Sequence, residues 1–266
     1  MFNTEFLNEI RLFEIERLRE HLEPARKVLE IGGGTGIQAC QLSRWGYQVS
    51  SIDVAQSTYA FERVFPVTDY DGENIPFPSE AFDVVFSSNT LEHVPDLKKM
   101  HQEIQRVLRP GGHCVHVMPS CAWRSWHTAA YHLDYARRLA TLLRENWQEG
   151  LSQRDPWRAL RGPLRALKHA VLNCIPGRHG HTGNFLTEQW TFRRAWWTAH
   201  FQKHGFEVLL AAPVGPFYTG HMILGDRWPV PSRDRWACRL GRACVVYKVR
   251  PAARPCGATQ GPVGQA

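Results

Sequence analysis

The chain has 266 residues, 43% hydrophobic and 21% charged, with a formal net charge of +7, a composition that suits a folded domain and excludes bulk disorder. We expect neither a membrane span nor a secretory signal, because no run approaches the ~18 apolar residues of a spanning helix and the N-terminal stretch lacks an apolar core. The seven cysteines are scattered without CxxC spacing, which favours a reducing, cytoplasmic setting over a disulfide framework or a zinc site.

The N-terminal half of the sequence alternates between helical and strand patterns. Apolar residues at near-helical spacing predict one amphipathic helix over residues 5–22, which Pro24 stops. Strands and helices then follow in turn, at 26–31, 37–45, 47–54, 82–88, 96–108 and 113–118. This alternation predicts an α/β protein with a parallel, doubly wound sheet.

The alternation breaks between residues 119 and 190. Within 137–178 there are nine Lys or Arg residues and three Asp or Glu residues, so most of the excess positive charge lies there. A helix at 190–204 and strands at 206–211 and 243–249 resume the pattern, and the final stretch has no periodicity. We therefore divide the chain into five segments. They are an N-terminal helix (1–24), a core (25–118), a helical and basic cap insertion (119–190), the C-terminal part of the sheet (191–250) and a disordered tail (251–266).

A glycine-rich loop links the first predicted strand to the helix that follows it. The glycines within residues 32–36 allow a tight turn and the close approach of a ligand. Asp53 ends the next strand, where a carboxylate can accept both hydroxyls of a ribose. Residues 34–39 also fit the pattern GxGxxA. A nucleotide-type cofactor is therefore predicted, and the loop by itself leaves NAD(P) open.

Further motifs lie around this loop. They read VLEIGGGTG at 28–36, DGENIPFPSEAFDVVFSSNTLEHV at 71–94 and EIQRVLRPGGHCVHV at 103–117, with Asp53 between the first two. Over residues 25–118 this pattern resembles the class I S-adenosylmethionine-dependent methyltransferases, in their small-molecule, type 11-like branch. The resemblance implies S-adenosylmethionine as the cofactor. It also implies a Rossmann-like, seven-stranded sheet whose last hairpin strand is antiparallel, with the helical cap inserted over its carboxyl edge.

The resemblance implies roles for individual residues along the first two strands. Glu30, at the end of the first strand, is expected near the amino group of the methionine portion of the cofactor. Gly32 and Gly34 are expected to pack beneath the methionine and ribose portions. Asp53 is expected to hold the ribose hydroxyls.

Later motif positions are expected at the two ends of the cofactor. Asp71 is expected to accept a hydrogen bond from the adenine amino group, with Gly72 beside the ring. Asn89 matches the position that contacts the methionine end.

Four histidines and a tyrosine are candidates for the acceptor side of the site. His93 would lie near the transferred methyl group, where a histidine can act as a general base; a packing role is the alternative. His181 lies in a glycine-rich loop ahead of a helix, a pattern typical of a mobile lid, from which His181 or His179 could reach the acceptor as a catalytic residue; an ordinary polar loop is the alternative. Tyr218 and His221 lie between the last two strands and are candidates for contact with the acceptor, with packing again as the alternative.

His200 and His204 form a further pair on the predicted helix 190–204. Because they are four residues apart, they lie on one helix face and could bind a metal ion together. No third ligand is evident from the sequence. We therefore expect a solvated helix face and no metal site.

Residues 151–177 carry a basic amphipathic pattern. Their apolar side chains lie largely on one side of a helix and their basic side chains on another. We expect a lid helix that covers the site, with peripheral docking on an anionic membrane surface as the alternative. Nucleic acid is not expected as a partner, because the positive charge is confined to one insertion.

These features predict transfer of a methyl group from S-adenosylmethionine to a small-molecule, sugar or lipid-linked acceptor, with oxygen as the expected acceptor atom. Two alternatives stay open. One is an NAD(P)-dependent oxidoreductase, and the other is a non-catalytic, membrane-associated binding protein with the same fold. The expected location is the cytoplasm, at the inner face of the membrane if the insertion docks there.

Overall fold

The computed structural model describes residues 4–152, 175–220 and 224–253. The strands are β1 (Lys27–Ile31), β2 (Gln48–Val54), β3 (Thr68–Tyr70), β4 (Phe82–Ser88), β5 (Leu108–Pro119), β6 (Phe206–Val214) and β7 (Cys244–Pro251). The helices are α1 (Thr4–Glu16), α2 (Arg19–Leu22), α3 (Ile37–Arg44), α4 (Leu97–Val107), α5 (Cys121–Ser152), α6 (Glu188–Thr191), α7 (Arg194–Lys203) and α8 (Val230–Leu240). Single 3₁₀ turns lie at Ala60–Glu62, Leu91–His93 and Gly225–Arg227.

The strands form one seven-stranded sheet in the order β3-β2-β1-β4-β5-β7-β6. The first five strands of that order pair in parallel, and β7 runs antiparallel to both of its neighbours. The predicted doubly wound sheet with an antiparallel last strand is therefore confirmed. The chain leaves β1 toward β2 on one side and later reaches β4 on the other. In such sheets ligands bind at this switch point, beyond the carboxyl ends of the strands.

Each face of the sheet is covered by its own apolar cluster. Val28 and Val84 belong to one cluster, and Leu29 and Val85 belong to the other, because successive side chains of a strand point to opposite faces. α1 and α3 contribute to the first cluster, and α4 and α7 contribute to the second. The central strands are buried on both faces, which explains why they form nearly continuous apolar runs in the sequence.

Two predicted helices are interrupted in the structure. The helix expected over 5–22 is divided into α1 and α2 by a turn that contains Leu18, which is fully buried. The helix expected over 190–204 is divided into α6 and α7, where Phe192 is buried and Arg193 has an extended backbone. Each break buries an apolar side chain in the core, a tertiary effect that helical spacing alone does not reveal.

Other elements differ from the predicted pattern in extent or were not predicted. β3 is a three-residue strand with largely exposed side chains, so it has no apolar signature. α8 lies between β6 and β7, where no helix was predicted, although the prolines at its start are typical of a helix N-terminus. β5 begins at Leu108 and continues through the Pro-Gly-Gly sequence that was expected to precede it, and β7 continues to Pro251, inside the predicted tail.

The cap insertion begins with α5, which is 32 residues long. Most of the basic amphipathic stretch predicted over 151–177 lies outside the described residues, as do His221 and the tail from residue 254. Within the ranges that the structure describes, no helix is both long and apolar enough to cross a membrane.

Candidate active site

A cavity of about 470 Å³ opens at the carboxyl edge of the sheet, within the size range of small-molecule sites. Its walls come from the β1–α3 loop, the ends of β2 and β4, α1, the start of α5 and two C-terminal loops. The predicted site residues that line it are Gly32, Gly34, Asp53, Gly72, Asn89, His93 and Tyr218. The topology thus brings together residues that are far apart in the sequence.

The glycine loop is held close to β2 by its own backbone. The amides of Gly32 and Gly33 donate to the carbonyl oxygen of Ile52 at 2.8 and 3.0 Å. Gly32 has a φ of +77°, a region that favours glycine, and a Cβ there would collide with the Thr90 side chain. A side chain is therefore excluded at Gly32 both by backbone conformation and by space.

Asp53 is fixed at the end of β2 by two amides. Its Oδ2 accepts a hydrogen bond from the Gly34 amide at 2.9 Å, and its Oδ1 accepts one from the Val54 amide at 2.8 Å. Each carboxylate oxygen keeps a further lone pair, and Asp53 lines the cavity. This arrangement can accept the two hydroxyls of a ribose, which is the role that the sequence predicted.

Glu30 lies beneath the glycine loop and is not among the residues that line the cavity. Its side chain is 2% exposed, and it accepts a hydrogen bond from Ser51 Oγ at 2.6 Å. Burial raises the pKa of Glu30 to about 7. The Glu30 carboxylate is therefore buried and separated from the cavity. Its direct contact with the amino group of the cofactor stays a prediction.

Asp71 also lies off the cavity wall, while the adjacent Gly72 lines it. The Asp71 carboxylate accepts hydrogen bonds from the Glu73 and Asn74 amides, at 2.8 and 2.7 Å, and from Asn74 Nδ2. These bonds lower the pKa of Asp71 to about 2. Asp71 shapes the loop that presents Gly72, and its predicted bond to adenine remains untested.

Asn89 follows β4 in a left-handed conformation, with a φ of +52°. Its side chain lines the cavity, donates to Ser88 Oγ at 3.2 Å and has Cys244 Sγ 3.6 Å from Oδ1. Asn89 therefore lies on the cavity wall, and its contact with the methionine end of the cofactor stays a prediction.

α1 contributes a wall that the sequence did not predict. Leu7, Asn8 and Arg11 line the cavity, and Thr35 Oγ1 donates to Asn8 Oδ1 at 3.0 Å. The N-terminal helix is thereby tied to the glycine loop. The amphipathic pattern predicts that α1 packs on the sheet, but no local signal shows that it reaches the cofactor loop.

Two histidines that line the cavity, His93 and His179, meet a carboxylate that does not line it. Glu92 is buried, and its Oε1 lies 3.8 Å from the Nε2 atoms of both His93 and His179. The two imidazole rings pack edge to face with centroids 4.8 Å apart. Burial lowers the pKa of His93, which keeps the ring neutral and able to accept a proton near neutral pH. The three side chains also each offer one atom to a metal ion.

Aromatic side chains form the adjoining wall. The Trp123 ring stacks on His127 with centroids 4.9 Å apart and lies 4.6 Å from His179 and 6.5 Å from Tyr218, centroid to centroid. Burial raises the pKa of Tyr218 well above its ordinary value, so the phenol stays protonated. This wall offers inclined aromatic rings that also carry hydrogen-bonding groups.

The structure favours His179 over His181 in the loop ahead of α6. His181 is exposed, and its backbone amide donates to Glu92 O at 2.8 Å; only His179 of the two lines the cavity. The structure therefore places His179 on the cavity wall and His181 off it, and a catalytic role for either loop histidine stays a prediction.

A buried ion pair anchors this loop. Arg124 Nε lies 2.9 Å from Glu188 Oε2, and the two side chains are 0% and 1% exposed. Glu188 Oε1 accepts hydrogen bonds from the amides of His179 and Gly180 at 2.6 and 2.7 Å, and Arg124 Nη2 donates to Gly177 O at 2.7 Å. α5 and α6 thereby position His179. Because Arg124 and Glu188 are 64 residues apart, the sequence does not indicate that they pair.

His200 and His204 do not form a solvated helix face, so that prediction is wrong. Both are partly buried against His101 of α4, whose side chain is 1% exposed, and His101 Nε2 lies 3.1 Å from His200 Nε2. Burial lowers the pKa of His101 to about 2 and that of His200 to about 4. None of the three lines the cavity.

Comparison with known proteins agrees with this geometry. A family model described as a methyltransferase domain matches residues 29–116. The ubiquinone biosynthesis O-methyltransferase of Pectobacterium atrosepticum is 28% identical over 142 residues, which cover 50% of this chain and 58% of that protein. The demethylmenaquinone methyltransferase of Corynebacterium efficiens is 33% identical over 98 residues, 36% of this chain and 43% of that protein. The chain thus spans less than two thirds of these relatives.

A solved structure shares the fold across nearly the whole chain. The S-adenosylmethionine-dependent methyltransferase from Aquifex aeolicus superposes with a TM-score of 0.51 at 15% identity, covering 91% of this chain and 92% of that one. The strand order, the glycine loop and the acidic end of β2 together define the class I methyltransferase fold. Residues 29–116 are a methyltransferase domain of this class. Its cofactor is S-adenosylmethionine, as the sequence predicted.

Proposed function

We propose that this chain methylates a hydroxyl group of a small acceptor, using S-adenosylmethionine. The observation that carries the proposal is that His93 and His179 line the cavity, while the buried Glu92 lies 3.8 Å from both imidazoles. The glycine loop and Asp53 line the same cavity. One cavity therefore holds a binding surface for a nucleoside and a group able to take a proton from an acceptor.

The residues of the chain have separable tasks in this reaction. S-adenosylmethionine supplies an electrophilic methyl group on a sulfonium. Asp53 would hold the ribose and the glycine loop would leave room for the nucleoside, so that the methyl group meets the acceptor in a defined orientation, an effect that can supply much of the rate. His93 accepts the proton that the acceptor hydroxyl loses. Glu92, buried 3.8 Å from both imidazoles, stabilises the imidazolium that forms.

The aromatic wall supports an acceptor with a ring. Trp123, His127, His179 and Tyr218 all line the cavity, and their inclined rings can pack against a phenolic or sugar ring. The named reaction of the Pectobacterium relative is an O-methylation, which agrees with oxygen as the acceptor atom. A ring bearing a hydroxyl, free or linked to a lipid, is the acceptor class that we propose.

Calorimetric titration of the purified protein with S-adenosylhomocysteine, with NAD as the control ligand, tests the cofactor half. We expect saturable binding of S-adenosylhomocysteine and none of NAD. Binding of NAD alone would establish the oxidoreductase alternative.

Transfer of a labelled methyl group to a panel of phenols, sugars and lipid-linked sugars then tests the acceptor half. Liposome association with no transfer to any of them would instead support the non-catalytic binding protein.

His93→Gln is expected to lower kcat by about 10²-fold or more, the range of a lost general base, with little change in affinity for S-adenosylhomocysteine. In the wild-type protein kcat/KM should fall as the pH drops below the lowered pKa of His93, because the protonated ring cannot accept a proton. This acid limb should disappear in the variant. Steady-state rates across pH with the best acceptor of the panel measure both effects.

His132→Gln is the matched control, since His132 is an exposed histidine of α5 that does not line the cavity. Its rate and pH profile should equal those of the wild type. An unchanged acid limb in His93→Gln would rule out His93 as the base and shift the role to His179.

A further inference from the structure

α4 and α7 bring three imidazoles together on the sheet face that these two helices cover. His101 comes from α4, His200 from the last turn of α7, and His204 is the residue that caps α7. One ring nitrogen from each lies within 4.8 Å of the other two. Gln105 Nε2 of α4 donates to His204 O at 2.9 Å, so the two helices are joined at this point.

The distances among these nitrogens suit a shared cation. His101 Nε2 and His200 Nε2 are 3.1 Å apart. Two nitrogens bound to zinc at about 2.0–2.1 Å and at a tetrahedral angle are about 3.3 Å apart. A small rotation of either ring brings the pair to that separation.

The orientation of His204 is already set for a ligand. Its Nδ1 lies 2.8 Å from the backbone carbonyl oxygen of His200. A carbonyl only accepts, so Nδ1 carries the proton and the lone pair is on Nε2. This carbonyl contact is the arrangement that usually orients a metal-binding histidine.

The accessibility of the cluster suits the entry of a metal ion. His101 is buried, whereas His200 and His204 are partly exposed. A tetrahedral ion held by the three imidazoles would therefore have its fourth position toward solvent, where water can bind. Neutral nitrogen ligands without a thiolate or carboxylate suit late divalent transition metals rather than magnesium or calcium.

We propose that His101, His200 and His204 form a binding site for a divalent transition metal, with zinc as the ion that fits best. The site is separate from the methyl-transfer cavity. Because its ligands come from two helices packed on one sheet face, the bound ion links α4 to α7. Zinc that binds the folded chain and not the unfolded chain should raise its melting temperature.

The test uses the untagged, chelator-treated full chain carrying His93→Gln, which removes a ligand from the Glu92, His93 and His179 group. Zinc titration by calorimetry should show one equivalent bound, and cobalt should give the visible spectrum of a tetrahedral ion. Adding His200→Gln or His204→Gln should weaken zinc binding by more than about 100-fold, because losing even an outer-shell partner costs about 10–100-fold. His132→Gln, added instead, should leave the zinc affinity unchanged.

The test relies on the two partly exposed histidines, because His101 is buried against Phe201 and Phe206 and its substitution would also disturb the core. Circular dichroism of the zinc-free variants confirms that each is folded before titration. No stoichiometric zinc binding by the His93→Gln protein would overturn the proposal. So would equal zinc affinity with and without the His200 and His204 substitutions.

Discussion

Asp53→Ala is expected to weaken binding of S-adenosylhomocysteine by about 100-fold or more. The carboxylate would accept both ribose hydroxyls, and a hydrogen bond to a charged group contributes about 1.5–3 kcal/mol. The substitution also removes the acceptor that holds the Gly34 amide at 2.9 Å, so the glycine loop loses part of its support. Titration calorimetry of the wild-type and variant proteins measures the change.

Two further variants separate direct contact from loop support. Asp53→Asn keeps an oxygen for the Gly34 amide but loses the charge, so its affinity should lie between those of the wild type and Asp53→Ala. Asp69→Ala removes an exposed carboxylate of the neighbouring strand β3, which pairs with Arg63 at 2.7 Å and does not line the cavity; its affinity should equal that of the wild type. Binding by Asp53→Ala within about threefold of the wild type would contradict the cofactor assignment.

Much of the cofactor half could be predicted because its residues lie at or just after the ends of strands. Gly32 and Asn89 directly follow β1 and β4, Asp53 is the penultimate residue of β2, and the carboxyl ends of parallel strands meet at one edge of the sheet. The place of a residue relative to its strand therefore gives its place in the site. The same rule could not show that Glu30 faces under the loop, because that depends on its hydrogen bond with Ser51 of the adjacent strand.

The acceptor half could be predicted only in part, because its contacts join distant segments. His93 was identified through its motif, but its neighbour His179 lies 86 residues further along the sequence and is positioned by Glu188. His101 and His200 are 99 residues apart, yet their Nε2 atoms are 3.1 Å apart. Periodicity describes one helix face at a time. It therefore found His200 and His204 and missed the third imidazole, which another helix supplies.

Glu188→Ala is expected to lower the free energy of unfolding by about 3–5 kcal/mol, the usual cost of leaving one partner of a buried ion pair alone. Arg124 would keep its charge in a site where its side chain is 0% exposed. The amides of His179 and Gly180 would also lose the acceptor that now lies 2.6 and 2.7 Å away. Denaturant unfolding followed by circular dichroism measures the loss.

Glu207→Ala is the matched control, since Glu207 and Arg250 form an ion pair whose side chains are 50% and 53% exposed, and such pairs contribute at most about 1 kcal/mol. Glu188→Gln, which keeps an oxygen for the two amides, should be less destabilised than Glu188→Ala. A loss below about 1 kcal/mol in Glu188→Ala would show that the pair does not anchor the loop. If it does anchor the loop, methyl transfer by Glu188→Gln should fall while its affinity for S-adenosylhomocysteine stays near the wild-type value, because Glu188 holds His179 and does not itself line the cavity.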